Sequence, residues 1–348
     1  MQAKAYAAYS ATQALKPFNF ERRKLGPNDV KLNILYCGVC HSDIHMAHND
    51  WGMSTYPVVL GHEIIGRVEA VGANVTAFEK DQLVGVGCMV DSCRQCQPCK
   101  DDLEQHCTQG MVMTYGSPDP KMPDAITHGG YSSHIVVDKD FVLRVSERLD
   151  TKAVAPLLCA GITTYSPLRQ WGVKAGDKVG VIGLGGLGHM GVKFAAAMGA
   201  KVVMITTSAQ KGEDAKRLGA DQVLLSNDAA QMEEHAGTFD FLLNTIPVAH
   251  TLDPYVALLK IGKTMAVLGA TPTKLHTMGL IFGRKIIAGS LIGGIKETQE
   301  MLDFCAEHNI VSDIELINIQ DINSAYERVI KSEVKYRFVI DMESLDKA

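Results

Sequence analysis

The segment Gly38-Val39-Cys40-His41-Ser42-Asp43-Ile44-His45 sets a thiol, two imidazoles, a hydroxyl and a carboxylate side by side. Packing alone does not call for such a density of metal-ligating and proton-transferring groups. Cys40 reads as a ligand of a catalytic zinc. Ser42 and His45 read as a proton path, because a hydroxyl donates and accepts at once and an imidazole titrates near working pH.

A second constellation is Cys93-x2-Cys96-x2-Cys99-x7-Cys107. Four thiolates close a tetrahedral shell around Zn²⁺ and leave no open position, which makes a staple and a poor Lewis acid. An iron–sulfur cluster has no evident role beside a hydride carrier. A nucleic-acid-binding zinc ribbon disagrees with the formal charge of -5. Two further groups stand out, His62 in Gly61-His62-Glu63 and Cys159 in Leu158-Cys159-Ala160-Gly161. Spacing alone does not bring them to Cys40, and a lone Cys or His is commonly core filler.

A third constellation is Gly183-Leu184-Gly185-Gly186-Leu187-Gly188, a G-x-G-x-x-G pattern after an apolar strand and before a helical stretch. Gly183 permits the sharp turn, Gly185 lets a pyrophosphate approach the backbone, and Gly188 lets the helix pack close to the strand. Gly186 and Leu187 lie at the helix start, where free N–H groups face the phosphates. NAD-binding sheets place an acid about 20 residues further on. Here that place reads Thr206-Thr207-Ser208-Ala209-Gln210-Lys211. Hydroxyls with a lysine suit a 2′-phosphate, so the expected cofactor is NADP(H). NAD bound elsewhere, over a solvated Thr/Ser turn, is the plainer alternative.

These groups need elements to position them. At 348 residues the chain is too long for one ordinary core, and two domains are expected. Residues 1–154 carry short β-like runs (30–35, 66–71, 134–137) separated by loops. From 155 to 293 strands near 178–183, 202–206, 222–225, 239–243, 264–268 and 286–291 alternate with helices at 186–199 and 210–218, the pattern of a doubly wound parallel sheet. Residues 294–348 return to the first texture through a helix at 298–307 and a strand at 336–340. The fold class is therefore α/β: a β-rich domain plus a Rossmann domain. Hydrophobic residues make up 46% and charged residues 21%, as in a soluble enzyme. No long uncharged apolar run suggests a membrane span, and residues 1–15 lack the look of a signal peptide. With four of the nine cysteines crowded into 93–107, metal binding is expected rather than disulfides, and the cytoplasm is the expected compartment.

Taken in order, the motifs GVCHSDIH, GHE, the four-cysteine lobe, CAGITTYSPL, GLGGLGHMG, the strand ending in Thr206 and KYRFVID cover nearly the whole chain. Together they resemble the zinc-dependent medium-chain alcohol dehydrogenases, most closely the cinnamyl-alcohol-dehydrogenase branch with its bacterial NADPH-dependent aldehyde reductases. The resemblance implies a GroES-like catalytic domain and a Rossmann domain. It also implies two zinc ions per chain, the catalytic one on Cys40, His62 and Cys159; the Cys₂His set is the one generally described for alcohol dehydrogenase. It places Asp43 on the far nitrogen of His62 and Glu63 near the metal. Ser42 would pass its proton by way of the nicotinamide ribose to His45. Serine stands at 42 where the family often has threonine.

By the same resemblance His41 and Arg337 lie near the cofactor phosphates. Trp51, Met53, Tyr56, Leu291 and Ile292 line the substrate pocket, and Leu60 replaces a usual proline. His189 is left as packing or a phosphate-side contact, and Cys37, Cys88 and Cys305 as buried filler. The implied reaction is hydride transfer between NADPH and an aldehyde to give a primary alcohol. The rival within the superfamily, an NAD-dependent secondary-alcohol or polyol dehydrogenase, would want an acid near position 206. A zinc-free NADPH-binding relative would lack the thiol clusters. The apolar run 286–291 is expected to pair across a two-fold axis in a homodimer.

Overall fold

The computed structural model describes residues 1–122 and 125–347. It divides into two compact units, Met1–Cys159 with Gly293–Ala348, and Ala160–Ile292. The first unit thus runs on to Cys159, past the change of sequence texture near 154.

The first unit is built on a seven-stranded sheet. Its central strand, Asp29–Gly38, buries Val30, Leu32 and Ile34 on one face, the period of two that a half-buried strand requires. It pairs antiparallel with Ile64–Val71, His134–Asp138 and the C-terminal strand Arg337–Asp341. The tail therefore rejoins this unit as its sequence texture suggests. The strand ends at Gly38, where a Cβ would lie 1.9 Å from Glu63 Oε2. Only glycine lets the chain leave the sheet this close to that carboxylate.

Directly beyond Gly38 stands helix α1, His41–His48, which the loop-rich sequence texture did not suggest. A capping box explains it: the Cys40 side chain accepts from the Asp43 backbone, and the Asp43 side chain accepts from Cys40 N. Asn49, left-handed at φ 57°, ends the helix.

The second unit is a six-stranded sheet in the order Gln222–Leu225, Lys201–Thr206, Lys178–Ile182, Phe239–Asn244, Leu259–Val267, Ile286–Gly289, every pair parallel. Its apolar strands pack into a core that includes Ile182, Val203, Ile205, Phe239 and Leu242. Burial on both faces is what near-continuous apolar strands need. The order reverses direction at Lys178–Ile182, the topological switch point where this fold binds dinucleotides. Helix α2, Gly188–Ala197, follows that strand, and α3, Ala209–Arg217, follows the next. Helix α2 is shorter than the expected 186–199 at both ends, α3 is offset by one residue from the expected 210–218, and the strand expected over 286–291 stops at Gly289.

Candidate active site

Cys40, His62, Glu63 and Cys159 are all buried, and each offers a ligand atom within 4.8 Å of the others. The capping box holds Cys40 at the mouth of α1. Cys159 ends the first of its unit's two segments, after the short helix Ala155–Leu158. Cys40 Sγ and Cys159 Sγ lie 3.7 Å apart. Two thiolates on one tetrahedral zinc stand about 3.8 Å apart, given a Zn–S distance of about 2.3 Å. The Cys159 thiol hydrogen-bonds Cys40 and draws the Cys40 pKa well below its ordinary value. His62 Nε2 and Glu63 Oε2 are buried with no hydrogen-bond partner. Buried polar atoms are normally satisfied, so a buried imidazole nitrogen without a protein partner beside two thiols suits a cation ligand. The donor set fits zinc.

Asp43 corrects one expectation. Its Oδ1 lies 3.9 Å from His62 Nδ1, too far for a hydrogen bond. It instead accepts from Cys40 N at 2.8 Å, Gly61 N at 3.1 Å and the Tyr131 hydroxyl at 3.1 Å. Asp43 thus ties together the two backbone segments that carry Cys40 and His62. Sequence could not reveal Tyr131, which lies 88 residues away.

Glu63 and Arg337 were expected in separate places, one near the metal and one near the cofactor. Here they form a buried pair, Arg337 Nη2 to Glu63 Oε1 at 2.5 Å, and the same nitrogen donates to Val39 O at 2.8 Å. Burial raises the Glu63 pKa to about 7, although Arg337 pulls it down. Cys88 donates its thiol to Leu158 O at 3.7 Å, and the neighbouring Cys159 lowers its pKa.

On α1 the relay candidates occupy successive turns. Ser42 is half-buried in the first. His45 Nδ1 lies 2.7 Å from Asp50 Oδ2, a partner not foreseen from the sequence. The signal was there in retrospect, because Asn49 ends the helix and turns Asp50 back toward His45. The His45 ring also lies 4.9 Å from His41 and 5.1 Å from Trp51. Burial, then the proximity of His45, lowers the His41 pKa. Of the expected substrate residues, Trp51 and Met53 stand exposed, while Tyr56 donates its hydroxyl to Ala47 O and braces the end of α1. In the second unit Leu291 is exposed and Ile292 buried.

Cys93, Cys96, Cys99 and Cys107 form a second ligand group. Sγ separations of 3.4, 3.9 and 4.0 Å bracket the edge of a ZnS₄ tetrahedron. Arg94, between the first two thiols with φ 58°, reaches Asp91, Asp138 and Asp140 and so fastens the lobe to the sheet.

In the second unit Gly183 adopts φ 91°. A Cβ on Gly188 would lie 1.9 Å from Gly183 O, whereas one on Gly185 would meet nothing within 4 Å. That open space suits a pyrophosphate. Thr245 Oγ1 donates to Ile182 O and Gly183 O and so fixes the turn. His189 is fully buried with Nδ1 3.3 Å from Gly185 O, so it packs under the loop. Thr206 closes its strand, buried, and accepts from Ser208 N. Ser208 Oγ accepts from Lys211 N as the cap of α3, which leaves its proton free to donate. Thr207 and Lys211 are exposed.

Residues 26–147 match the family Alcohol dehydrogenase GroES-like domain, and residues 186–307 match Zinc-binding dehydrogenase. The chain is 56% identical to the aldehyde reductase YahK of Escherichia coli K12, covering 99% of both proteins. Among solved structures it matches cinnamyl alcohol dehydrogenase SbCAD4 of Sorghum bicolor with TM-score 0.95 and 45% identity, covering 99% of this chain and 98% of that one. It also matches the Helicobacter pylori CAD complexed with NADP(H), with TM-score 0.93 and 43% identity over 99% of each chain. With the thiol–imidazole cluster and the glycine turn, these matches establish that the chain belongs to the zinc-dependent medium-chain alcohol dehydrogenases, on their cinnamyl-alcohol-dehydrogenase branch.

Proposed function

We propose that the chain reduces aldehydes to primary alcohols with NADPH, reversibly and over a broad range of aromatic and aliphatic substrates. The observation that carries this is the buried Cys40, His62 and Cys159 cluster with an orphaned His62 Nε2. Bound there, zinc supplies Lewis acidity toward a carbonyl oxygen, and NADPH on the glycine turn supplies hydride.

The chain's own residues do the rest. Ser42 delivers the proton that the reduced oxygen takes up. His45, its side chain 35% exposed, resupplies that proton from water. Asp50 accepts from His45 Nδ1–H, fixes the tautomer and leaves Nε2 for proton exchange. Ser42→Ala is expected to lower kcat by roughly 100-fold or more, the usual worth of a positioned proton donor, and Asp50→Asn by about tenfold. Steady-state kinetics checks both; wild-type turnover in Ser42→Ala overturns the relay.

Thr206, Thr207, Ser208 and Lys211 bind the 2′-phosphate in this reading. A hydrogen bond to a charged group contributes about 1.5–3 kcal/mol, so kcat/KM with NADPH should exceed that with NADH by roughly 10- to 100-fold or more. A panel of aldehydes, primary alcohols and polyols assayed with both cofactors tests function and selectivity together. NADH preference with polyol turnover would favour the rival reading instead, but it lacks its acid near position 206.

The same reading makes the chain a homodimer. Ile286–Gly289 is an edge strand, and Ile286 at 48% and Phe282 at 78% exposure form an apolar surface on that side. Edge strands of this kind call for a cover. Sedimentation at micromolar protein should give twice the chain mass; a monomer overturns the assignment. No helix among the described residues is long and apolar enough to cross a membrane. All nine cysteines are unpaired, which supports a reducing compartment such as the cytoplasm.

A further inference from the structure

The carboxylate of Asp43 is fully buried, and three donors converge on it from different parts of the chain. Two are backbone groups, Cys40 N and Gly61 N, each belonging to a segment that carries a metal ligand. The third is the Tyr131 hydroxyl. Tyr131 is itself fully buried, and its backbone neighbourhood is laced to the His62 segment: Gly129 N to Val59 O at 2.7 Å, Gly130 N to Gly61 O at 2.8 Å, Tyr131 N to Leu60 O at 2.9 Å. Its ring lies so close under Gly61 that a Cβ there would fall 2.6 Å from Tyr131 Cδ1. Gly61 adopts φ 93°, which suits glycine at this close approach.

The hydroxyls form a chain. Tyr326, on the helix Ile322–Ile330, donates to Tyr131 Oη at 3.5 Å, which leaves the Tyr131 proton directed at Asp43 Oδ2. On the ligand side, the Tyr115 ring stacks on His62 with centroids 5.4 Å apart and planes 11° from parallel. The imidazole is thus held by an aromatic face, while the backbone beside it is held by Asp43.

We propose that Tyr131 is a positioning residue for the catalytic zinc: its hydroxyl, acting through Asp43, sets the spacing between the backbone of Cys40 and the backbone of His62. A buried carboxylate needs its donors. Without the Tyr131 hydroxyl, Oδ2 loses one of the donors that fix it, and the carboxylate is free to shift toward His62 Nδ1, now 3.9 Å away. The two ligand segments then lose their common anchor. The ring of Tyr131 does the packing and the hydroxyl does the positioning, so the two are separable by Tyr131→Phe. This role rests on Cys40, His62 and Cys159 forming one zinc site.

The test follows zinc release from the holoenzyme into excess chromogenic chelator. The catalytic phase is identified as the one missing from Cys159→Ser. In Tyr131→Phe that phase should run about tenfold faster, the usual effect of losing an outer-shell partner, while the four-cysteine phase and the melting temperature stay as in wild type. Asp43→Asn/Tyr131→Phe should release zinc no faster than Asp43→Asn alone. Hydrogen exchange on Tyr131→Phe alone should show the Cys40 and Gly61 amides losing protection. An unchanged catalytic phase, a parallel acceleration of both phases, additive effects in the Asp43→Asn background, or unchanged amide protection would each overturn the proposal. A wild-type enzyme with no Cys159-dependent zinc would instead overturn the zinc assignment, and the role of Tyr131 with it.

Discussion

Cys159→Ser is expected to purify with one zinc per chain in place of two and to lose roughly a thousandfold in aldehyde reduction. The structure offers two ligand groups, and they differ in kind. The four-cysteine group closes its own shell, whereas Cys40, His62 and Cys159 leave a position open unless Glu63 fills it. A serine hydroxyl at 159 is a poor zinc ligand, so the group falls to one thiolate and one imidazole. Lewis-acid stabilisation contributes several kcal/mol, and about 4 kcal/mol corresponds to roughly three decades in rate. Metal analysis and kinetics on the same preparation check the result. Cys96→Ser should also lose one zinc, but its effect should fall on thermal stability, because the 90–110 lobe is pinned by that ion and by Arg94. A Cys159→Ser enzyme with full zinc and full turnover would remove Cys159 from the site.

Much of this site was legible before any coordinates. Ligand types, the glycine turn and the absent acid at 206 are local signals with a physical reason at each position. The parallel sheet was legible for the same reason, since strands buried on both faces must read as apolar runs. What escaped was set by contacts distant in sequence or by the end of an element. Helix α1 escaped because its cap is a cysteine and an aspartate, residues whose metal and acid chemistry overshadowed their capping geometry. Asp50 escaped because its pairing with His45 depends on where that helix stops. Asp43 was assigned to His62 by resemblance, but its oxygens are filled by two amides and Tyr131, and no spacing rule links Asp43 to Tyr131. The pairing of Glu63 with Arg337, 274 residues apart, was invisible for the same reason.

That last pair carries the largest expected effect on stability. Arg337→Ala should destabilise the first unit by about 3–5 kcal/mol, because it strands a buried carboxylate. The side chains of Arg337 and Glu63 are 7% and 0% exposed, and Glu63 Oε2 already lacks a partner. Burial works against both charges. For Arg337 the attraction of Glu63 outweighs it and raises the guanidinium pKa; for Glu63 burial outweighs the attraction and lifts the pKa from 4.5 to about 7. The sign of the pH dependence follows. A carboxyl raised in the folded state binds its proton more tightly there than in the unfolded chain, so its contribution is favourable at low pH and is lost as pH rises. In zinc-depleted protein, where the metal's charge does not compete for Glu63, stability should fall between about pH 4.5 and about pH 7. Removing Arg337 takes away the group that lowers the Glu63 pKa, so the fall should extend to higher pH and the variant should be weakest in alkaline buffer. Glu63→Gln should flatten the dependence, and Glu63→Gln/Arg337→Ala should recover part of the loss, since no buried charge is then left unpaired. Urea unfolding of the four proteins at several pH values reads all of this. If Arg337→Ala unfolds at the wild-type midpoint throughout, the pair does not hold the Val39–Cys40 segment in place, and the link from the C-terminal strand to the zinc ligands must lie elsewhere.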